Sequence, residues 1–236
     1  MELYLITGFL GAGKTTFLKN FARQFAGRRL RLIINEFGRA GVDGTLLREL
    51  DAALDEISNG SIFCACRLDQ FEAALEQAAA DAPDVVLVEA SGLADPTNVR
   101  RVLAQFPAVS YQGSVCVADA ARLEKVFSTA RACPRQLAVS SLVLLNKTDL
   151  ATEAQCAEAK ALILRANPAA RIRRTQFGRF EPEWLSLIVP DVDVDEVLDM
   201  PDITLQKAVL QIRPTMPLAA LQKCLVQLAG ETWRIK

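Results

Sequence analysis

Gly8-Phe9-Leu10-Gly11-Ala12-Gly13-Lys14-Thr15 is the stretch on which the fold turns. It fits GxxxxGK[ST], follows a strand pattern at 3–7 and opens a helix pattern at 15–26, which is the context a phosphate-binding loop requires. Glycines let the backbone curl its N–H groups inward, and the helix amino terminus adds partial positive charge. Gly8, Gly11, Ala12 and Gly13 would line the cradle. Lys14 would reach the outer phosphates, the Thr15 hydroxyl a Mg²⁺ ion, and Thr16 the α-phosphate. A glycine-rich turn before an ordinary helix is the plain alternative, and spacing and context together speak against it.

Outward from this loop, short apolar runs at 3–7, 30–35, 85–89, 114–118 and 142–146 alternate with helix patterns at 15–26, 68–80, 96–105, 120–129 and 153–166. Continuously apolar strands are buried on both faces, as in a parallel sheet covered by helices. The expectation is an α/β doubly wound fold of the P-loop NTPase kind, mostly parallel, with ligands at the carboxyl ends of the strands. A domain at 1–189 is followed by a linker at 190–203, marked by Pro190, Asp191, Asp193, Asp195, Glu196, Pro201 and Asp202. Residues 204–236 carry a strand pattern at 207–212, a helix pattern at 217–229 and a last strand at 232–236. These are too few elements to bury a core of their own, so the segment reads as a short or partial α+β appendage.

Composition narrows the setting. Of 236 residues, 51% are hydrophobic, enough for a real core, and the formal net charge of −1 comes with no basic stripe. Nucleic acid and anionic membranes are therefore not expected partners. The apolar runs are far shorter than the roughly 20 residues of a membrane helix. The chain enters its first strand with no leader-like stretch, and its six cysteines sit mostly in apolar segments, as reduced thiols do. A cytoplasmic location is the expectation.

Two further motifs define the ligand. Asp84-Val85-Val86-Leu87-Val88-Glu89 ends in an acid where such folds need one near a metal-bound water, and Glu89-Ala90-Ser91-Gly92 resembles a DxxG switch with Glu for Asp. Gly92 would let a backbone N–H approach a γ-phosphate and so sense hydrolysis. Asn146-Lys147-Thr148-Asp149 follows the fifth apolar run and matches NKxD. The Asp149 carboxylate can accept from the N1–H and exocyclic amine of guanine, donors that adenine lacks. The Lys147 stem can lie along the base. GTP is expected over ATP.

Weaker signals stay open. Arg171, Arg173 and Arg174 read as a strand with solvated alternate faces. Thr175-Gln176-Phe177-Gly178 after it is either a base-side loop or an ordinary turn. Asp119, at a strand end, reads as a cap for the helix that follows, and Cys116, Cys133, Cys156 and Cys224 as core or surface thiols.

Together these strings resemble the CobW-type family of metal-linked GTPases. Further support comes from Asn35-Glu36-Phe37-Gly38 with Val42-Asp43-Gly44, from Asn59-Gly60, from Glu89 through Pro96 (Glu-Ala-Ser-Gly-Leu-Ala-Asp-Pro), and from Val117-Ala118-Asp119-Ala120. The match runs from about residue 3 to 150 and continues weakly beyond. The resemblance implies a GTPase, slow without a partner, that helps insert or allocate a metal or metallocofactor in a client metalloenzyme or cofactor protein. It also allows a homodimer. It makes Lys14, Glu89 and Asp43 the catalytic candidates, Asp43 as a switch residue near Mg²⁺ and Glu89 in the outer metal shell.

The chain departs from the family where the transition metal belongs. After Asn-Gly the family has Cys-x-Cys-Cys; here Ser61-Ile62-Phe63-Cys64 stands there, with Cys66 two positions on. Ile34 and Arg39 replace acids flanking the Asn-Glu-Phe-Gly string, Ser140-Ser141 replaces an Ala-Asp pair, and there is no histidine. Cys64 and Cys66 could hold Zn²⁺ or another soft cation, with Glu36, Asp43 or a second protein completing the set. Two half-buried thiols flanking a turn account for the same spacing. A regulatory GTP-binding switch without metal cargo is the alternative function.

Overall fold

The computed structural model describes residues 1–35, 52–57, 68–190 and 217–231. Its strands are β1 (Glu2–Thr7), β2 (Leu30–Asn35), β3 (Ala53–Ile57), β4 (Val85–Glu89), β5 (Ser110–Asp119), β6 (Leu142–Asn146) and β7 (Arg171–Arg174). They form one seven-stranded sheet in the order β3-β2-β4-β1-β5-β6-β7, and every neighbouring pair is parallel. The helices are α1 (Lys14–Ala22), α2 (Leu68–Asp81), α3 (Val99–Leu103), α4 (Leu123–Thr129), α5 (Ala132–Ala138), α6 (Glu153–Ala166) and α7 (Leu218–Glu231). The chain is thus an α/β P-loop fold, doubly wound as the alternation requires.

β1 shows why the middle of the strand, Leu3 to Ile6, is hydrophobic. Tyr4 and Ile6 pack on one face with Phe17, Leu18 and Phe21 of α1, while Leu3 and Leu5 pack on the other with Phe71, Leu75 and Ala78 of α2. Alternate side chains of a strand point to opposite faces, so a strand covered on both sides is hydrophobic except where a buried polar group finds a partner, as Thr7 does with Ser140. A third cluster joins Cys116 and Ala118 of β5 and Val143 and Leu145 of β6 to α4, α5 and α6. Phe17 and Phe21 also meet Phe180, which meets Trp184, at centroid separations of 5.9, 4.8 and 5.7 Å. This aromatic lattice seats the back of α1 and aims its amino terminus at the sheet's carboxyl edge.

Several elements depart from the sequence expectations. β3 and α5 carry no strand or helix pattern that the sequence reading recognised, so the NKxD strand is sixth, not fifth, among the described residues. The helix expected at 96–105 contracts to Val99–Leu103, and that at 120–129 to Leu123–Thr129. β5 begins earlier than expected, at Ser110, with a register irregularity against Leu3/Tyr4. The helix expected at 217–229 is present as α7. The rest of the linker beyond Pro190 and the strands expected at 207–212 and 232–236 lie outside the described residues.

Candidate functional site

The phosphate loop closes the gap between β1 and α1. Gly8, Gly11 and Gly13 hold φ values of +134°, +76° and +105°, a backbone that curls successive N–H groups toward one point. Gly13 precedes α1 in left-handed conformation, and a Cβ there would lie 2.5 Å from the Asn146 amide nitrogen. The position needs glycine for conformation and for space alike. No side chain caps α1 and its first turn carries no acid, so the helix end offers its N–H groups to an anion. Lys14 is buried, and its Nζ donates to the Phe9 carbonyl at 3.4 Å, folded over the loop.

At the end of β4, Glu89 is buried beside the loop, and the Thr15 hydroxyl donates to its Oε1 at 3.3 Å. A hydroxyl and a carboxylate next to a phosphate cradle are hard oxygen donors, the kind Mg²⁺ selects. The residues present fit that ion. Thr16 is exposed at the mouth of the loop.

The segment after β4 is held from three sides. The Ser91 N–H donates to the Asn35 side-chain oxygen at 3.3 Å, and Asn35 in turn donates to the Ile57 carbonyl, so the ends of β2 and β3 support the loop. Gln136 of α5 donates from Nε2 to the carbonyls of Gly92 (3.2 Å) and Ala94 (2.9 Å), and Arg135 forms an ion pair with Asp95. Burial pushes the Asp95 carboxyl up, but hydrogen bonds from Thr97 and the Arg135 side chain outweigh it and hold it below its ordinary value. Gly92 approaches the phosphate loop so closely that a Cβ would lie 2.7 Å from the Leu10 nitrogen.

The NKxD motif is bonded into the phosphate loop. Asn146 donates to the Ala12 carbonyl at 2.9 Å and accepts from the Gly178 N–H at 3.0 Å. Lys147, itself left-handed at φ +60°, donates from Nζ to the Gly11 carbonyl and to Asp119 Oδ2, both at 2.7 Å. Thr148 donates to the Thr175 carbonyl from its N–H and its hydroxyl. Asp149 stands exposed in the turn Thr148–Leu150, at the rim of this bonded unit.

The structure therefore brings together Gly8, Gly11, Ala12, Gly13, Lys14, Thr15, Thr16, Glu89, Gly92, Asn146, Lys147 and Asp149 at the carboxyl edge of the sheet. Asp43, Glu36, Cys64 and Cys66 lie outside the described residues. Asp119 departs from the expected role. One oxygen accepts from the Ala121 N–H in a local turn, the other takes Lys147, and α4 starts only after Arg122. Gln136 and Arg135 were not anticipated at all. Pro134 within so short a segment hid the helix that carries them. Cys116, Cys133 and Cys156 are buried and Cys224 is exposed. Burial pushes the Cys116 thiol up to about 12 and the Cys133 thiol well above its ordinary value, which keeps both neutral.

Residues 2–174 match the family model described as CobW/HypB/UreG, nucleotide-binding domain. The chain is 32% identical over 206 residues to the zinc chaperone CobW of Pseudomonas aeruginosa, covering 72% of this chain and 55% of that protein. It is 29% identical over 161 residues to the zinc chaperone YjiA of Escherichia coli, covering 64% and 50%. The crystal structure of the Zn(II)-bound YjiA GTPase from E. coli shares the fold, with a TM-score of 0.60 at 22% identity over 94% of this chain and 69% of that one. The chain spans about half the length of the curated relatives it matches.

Proposed function

This chain belongs to the CobW/HypB/UreG nucleotide-binding family, and from that premise we propose that it is a GTPase serving metal or metallocofactor insertion into a client protein. The observation that carries the reading is the bonded unit of phosphate loop and NKxD motif, with the Asp149 carboxylate exposed at its rim. A triphosphate in the loop would place its base at Asp149, whose two oxygens suit the N1–H and amine of guanine. Calorimetry on the protein with Mg²⁺ tests this. GTP should bind at least tenfold tighter than ATP, and Asp149→Asn should abolish the preference. Equal binding of the two nucleotides by the unaltered protein would overturn it.

In this mechanism the N–H groups of residues 8–13 and the end of α1 orient the phosphates, and Lys14 swings from the Phe9 carbonyl to the β- and γ-oxygens. A Mg²⁺ ion held by the Thr15 hydroxyl, with Glu89 in its outer shell, would supply charge neutralisation on those oxygens. Glu89 would also orient the attacking water. The Gly92 N–H would meet the γ-phosphate and lose that contact on hydrolysis, changing the load on Gln136 and Arg135. Asp43 is the proposed switch residue near the metal. The motifs assign no arginine or glutamine to the transition state, so hydrolysis by the isolated chain should be slow.

The cargo reading rests on the relatives' names and on Cys64-Ala65-Cys66; Ser61 and Phe63 in place of two family cysteines favour a second reading, a GTP-binding regulator without metal cargo. Zinc titration of the reduced protein with a GTP analogue separates them. Nucleotide-linked binding that is lost on replacing Cys64 and Cys66 by serine supports cargo handling, and its absence supports the regulator. No helix among the described residues is long and apolar enough to cross a membrane.

A further inference from the structure

The loop after β7 is fastened at both ends and bare in the middle. Thr175 and Gly178 are buried; Gln176 and Phe177 between them are exposed, Phe177 to 64%. The Thr175 carbonyl receives both bonds from Thr148, and the Gly178 N–H is bonded to Asn146. From α1, Asn20 donates to the carbonyls of Phe177 (3.1 Å) and Gly178 (2.9 Å). The backbone of this loop is thus held by the base motif on one side and by the phosphate-binding helix on the other.

Phe177 is costly where it stands. Its φ is +55°, a left-handed conformation that glycine or asparagine adopts most readily, and Gly178 follows at +62°. An exposed left-handed turn favours a small polar residue on both counts. Neither the local backbone, nor the core, nor water accounts for an aromatic ring here, and strain of this sort collects where a ligand is handled. The fasteners at Asn146 and Thr148 flank Lys147 and stop one residue short of Asp149, which fixes the edge of the base. A flat purine so held leaves a π face for an aromatic neighbour, a contact that is indifferent to base identity.

We infer that Phe177 is a stacking platform for the purine, adding affinity for the base while Asp149 supplies the choice of guanine. The inference rests on the nucleotide reading above and deepens it. Leu150, also exposed at 69%, lies next to Asp149, so a protein-contact patch is the rival account.

The test uses the whole chain with Mg²⁺ and three probes: GTP, ATP and inorganic triphosphate, which lacks a base. Phe177→Asn keeps a residue that favours the left-handed turn and removes only the ring. It should weaken GTP binding roughly tenfold or more, the effect of deleting a base-stacking aromatic, and leave inorganic triphosphate within about twofold of the unaltered chain. Phe177→Trp should retain GTP affinity, and its added emission should change with GTP and not with inorganic triphosphate. Unchanged GTP binding in Phe177→Asn would overturn the stacking role, as the rival patch predicts, and so would an equal loss with GTP and triphosphate. If the unaltered protein binds GTP and ATP equally while Phe177→Asn weakens both, stacking stands and the guanine assignment falls. If Asp149→Asn abolishes the preference and Phe177→Asn does nothing, the reverse holds.

Discussion

The side-chain amide of Asn146 donates to the backbone carbonyl of Ala12, 134 positions earlier, at 2.9 Å, and so ties the base motif to the phosphate loop. Its oxygen is engaged by Gly178, so one buried residue serves both neighbours. Asn146→Ala removes both bonds and strands the Ala12 carbonyl and the Gly178 N–H. A stability loss of about 2–4 kcal/mol is expected in urea unfolding, with GTP affinity falling as the two halves of the site uncouple. A variant as stable as the parent would show that the tie is incidental.

The Lys147–Asp119 pair lends itself to a double-mutant cycle. The lysine side chain is 31% and the aspartate 11% exposed, so solvent screens much of the attraction. A coupling of about 1 kcal/mol is expected. Asp119→Asn should also weaken nucleotide binding, because Lys147 loses the partner that draws it across the loop. Additive single and double variants would rule the pair out as a positioning device.

Gln136 holds the segment after β4 through two carbonyls, and apolar replacement at the same size removes both bonds. Gln136→Leu should cost about 2–3 kcal/mol through the unpaired carbonyls of Gly92 and Ala94. Faster amide hydrogen exchange confined to residues 91–95 is the sharper readout. Unaltered exchange there would place the support elsewhere, in Asn35 or in the Arg135–Asp95 pair.

Why some of this was legible and some not follows from where each signal lives. β2, β4 and β6 have the boundaries their mostly apolar runs suggest, because strands covered on both faces bury nearly every side chain; the one charge inside β2, Arg31, is paired with Asp55 and Asp81. β3 is an edge strand in which Asp55 and Glu56 interrupt the apolar pattern, so no run marked it. The phosphate loop was legible because its requirements are local, glycine at left-handed positions and a lysine at the helix start. Asp119 was misjudged because an acid at a strand end looks like a helix cap, and its true partner, Lys147, is near only in the folded chain. Gln136 left no trace, since its role is set by a loop 42 residues earlier.

The buried thiols make stability depend on alkaline pH. Burial raises Cys116 to about 12 and Cys133 well above its ordinary value, while unfolded cysteine titrates near 8.5. Above about pH 8.5 the unfolded chain therefore binds fewer protons than the folded one, and stability falls as pH rises. Their contribution is whole below that pH and lost progressively toward the folded values, by about 1.4 kcal/mol per pH unit for each thiol. Urea unfolding at pH 7.5 and 9.5 under reducing conditions should show the fall, and Cys133→Ala should reduce it by about half. A flat profile would mean that the thiols are more accessible than their packing indicates.

The place of β1 in the middle of the sheet has a consequence during synthesis. Glu2 pairs with Val85 on one side and with Ser110 on the other, so both flanks of this strand leave the ribosome long after it does. At roughly 5–20 residues per second, the apolar strand and the glycine loop wait many seconds for neighbours. The carbonyls of Gly11 and Ala12 stay unclaimed until Asn146 and Lys147 arrive. A nascent chain arrested before that point carries the phosphate-binding residues without their cradle, and nucleotide capture should begin only with the second half of translation.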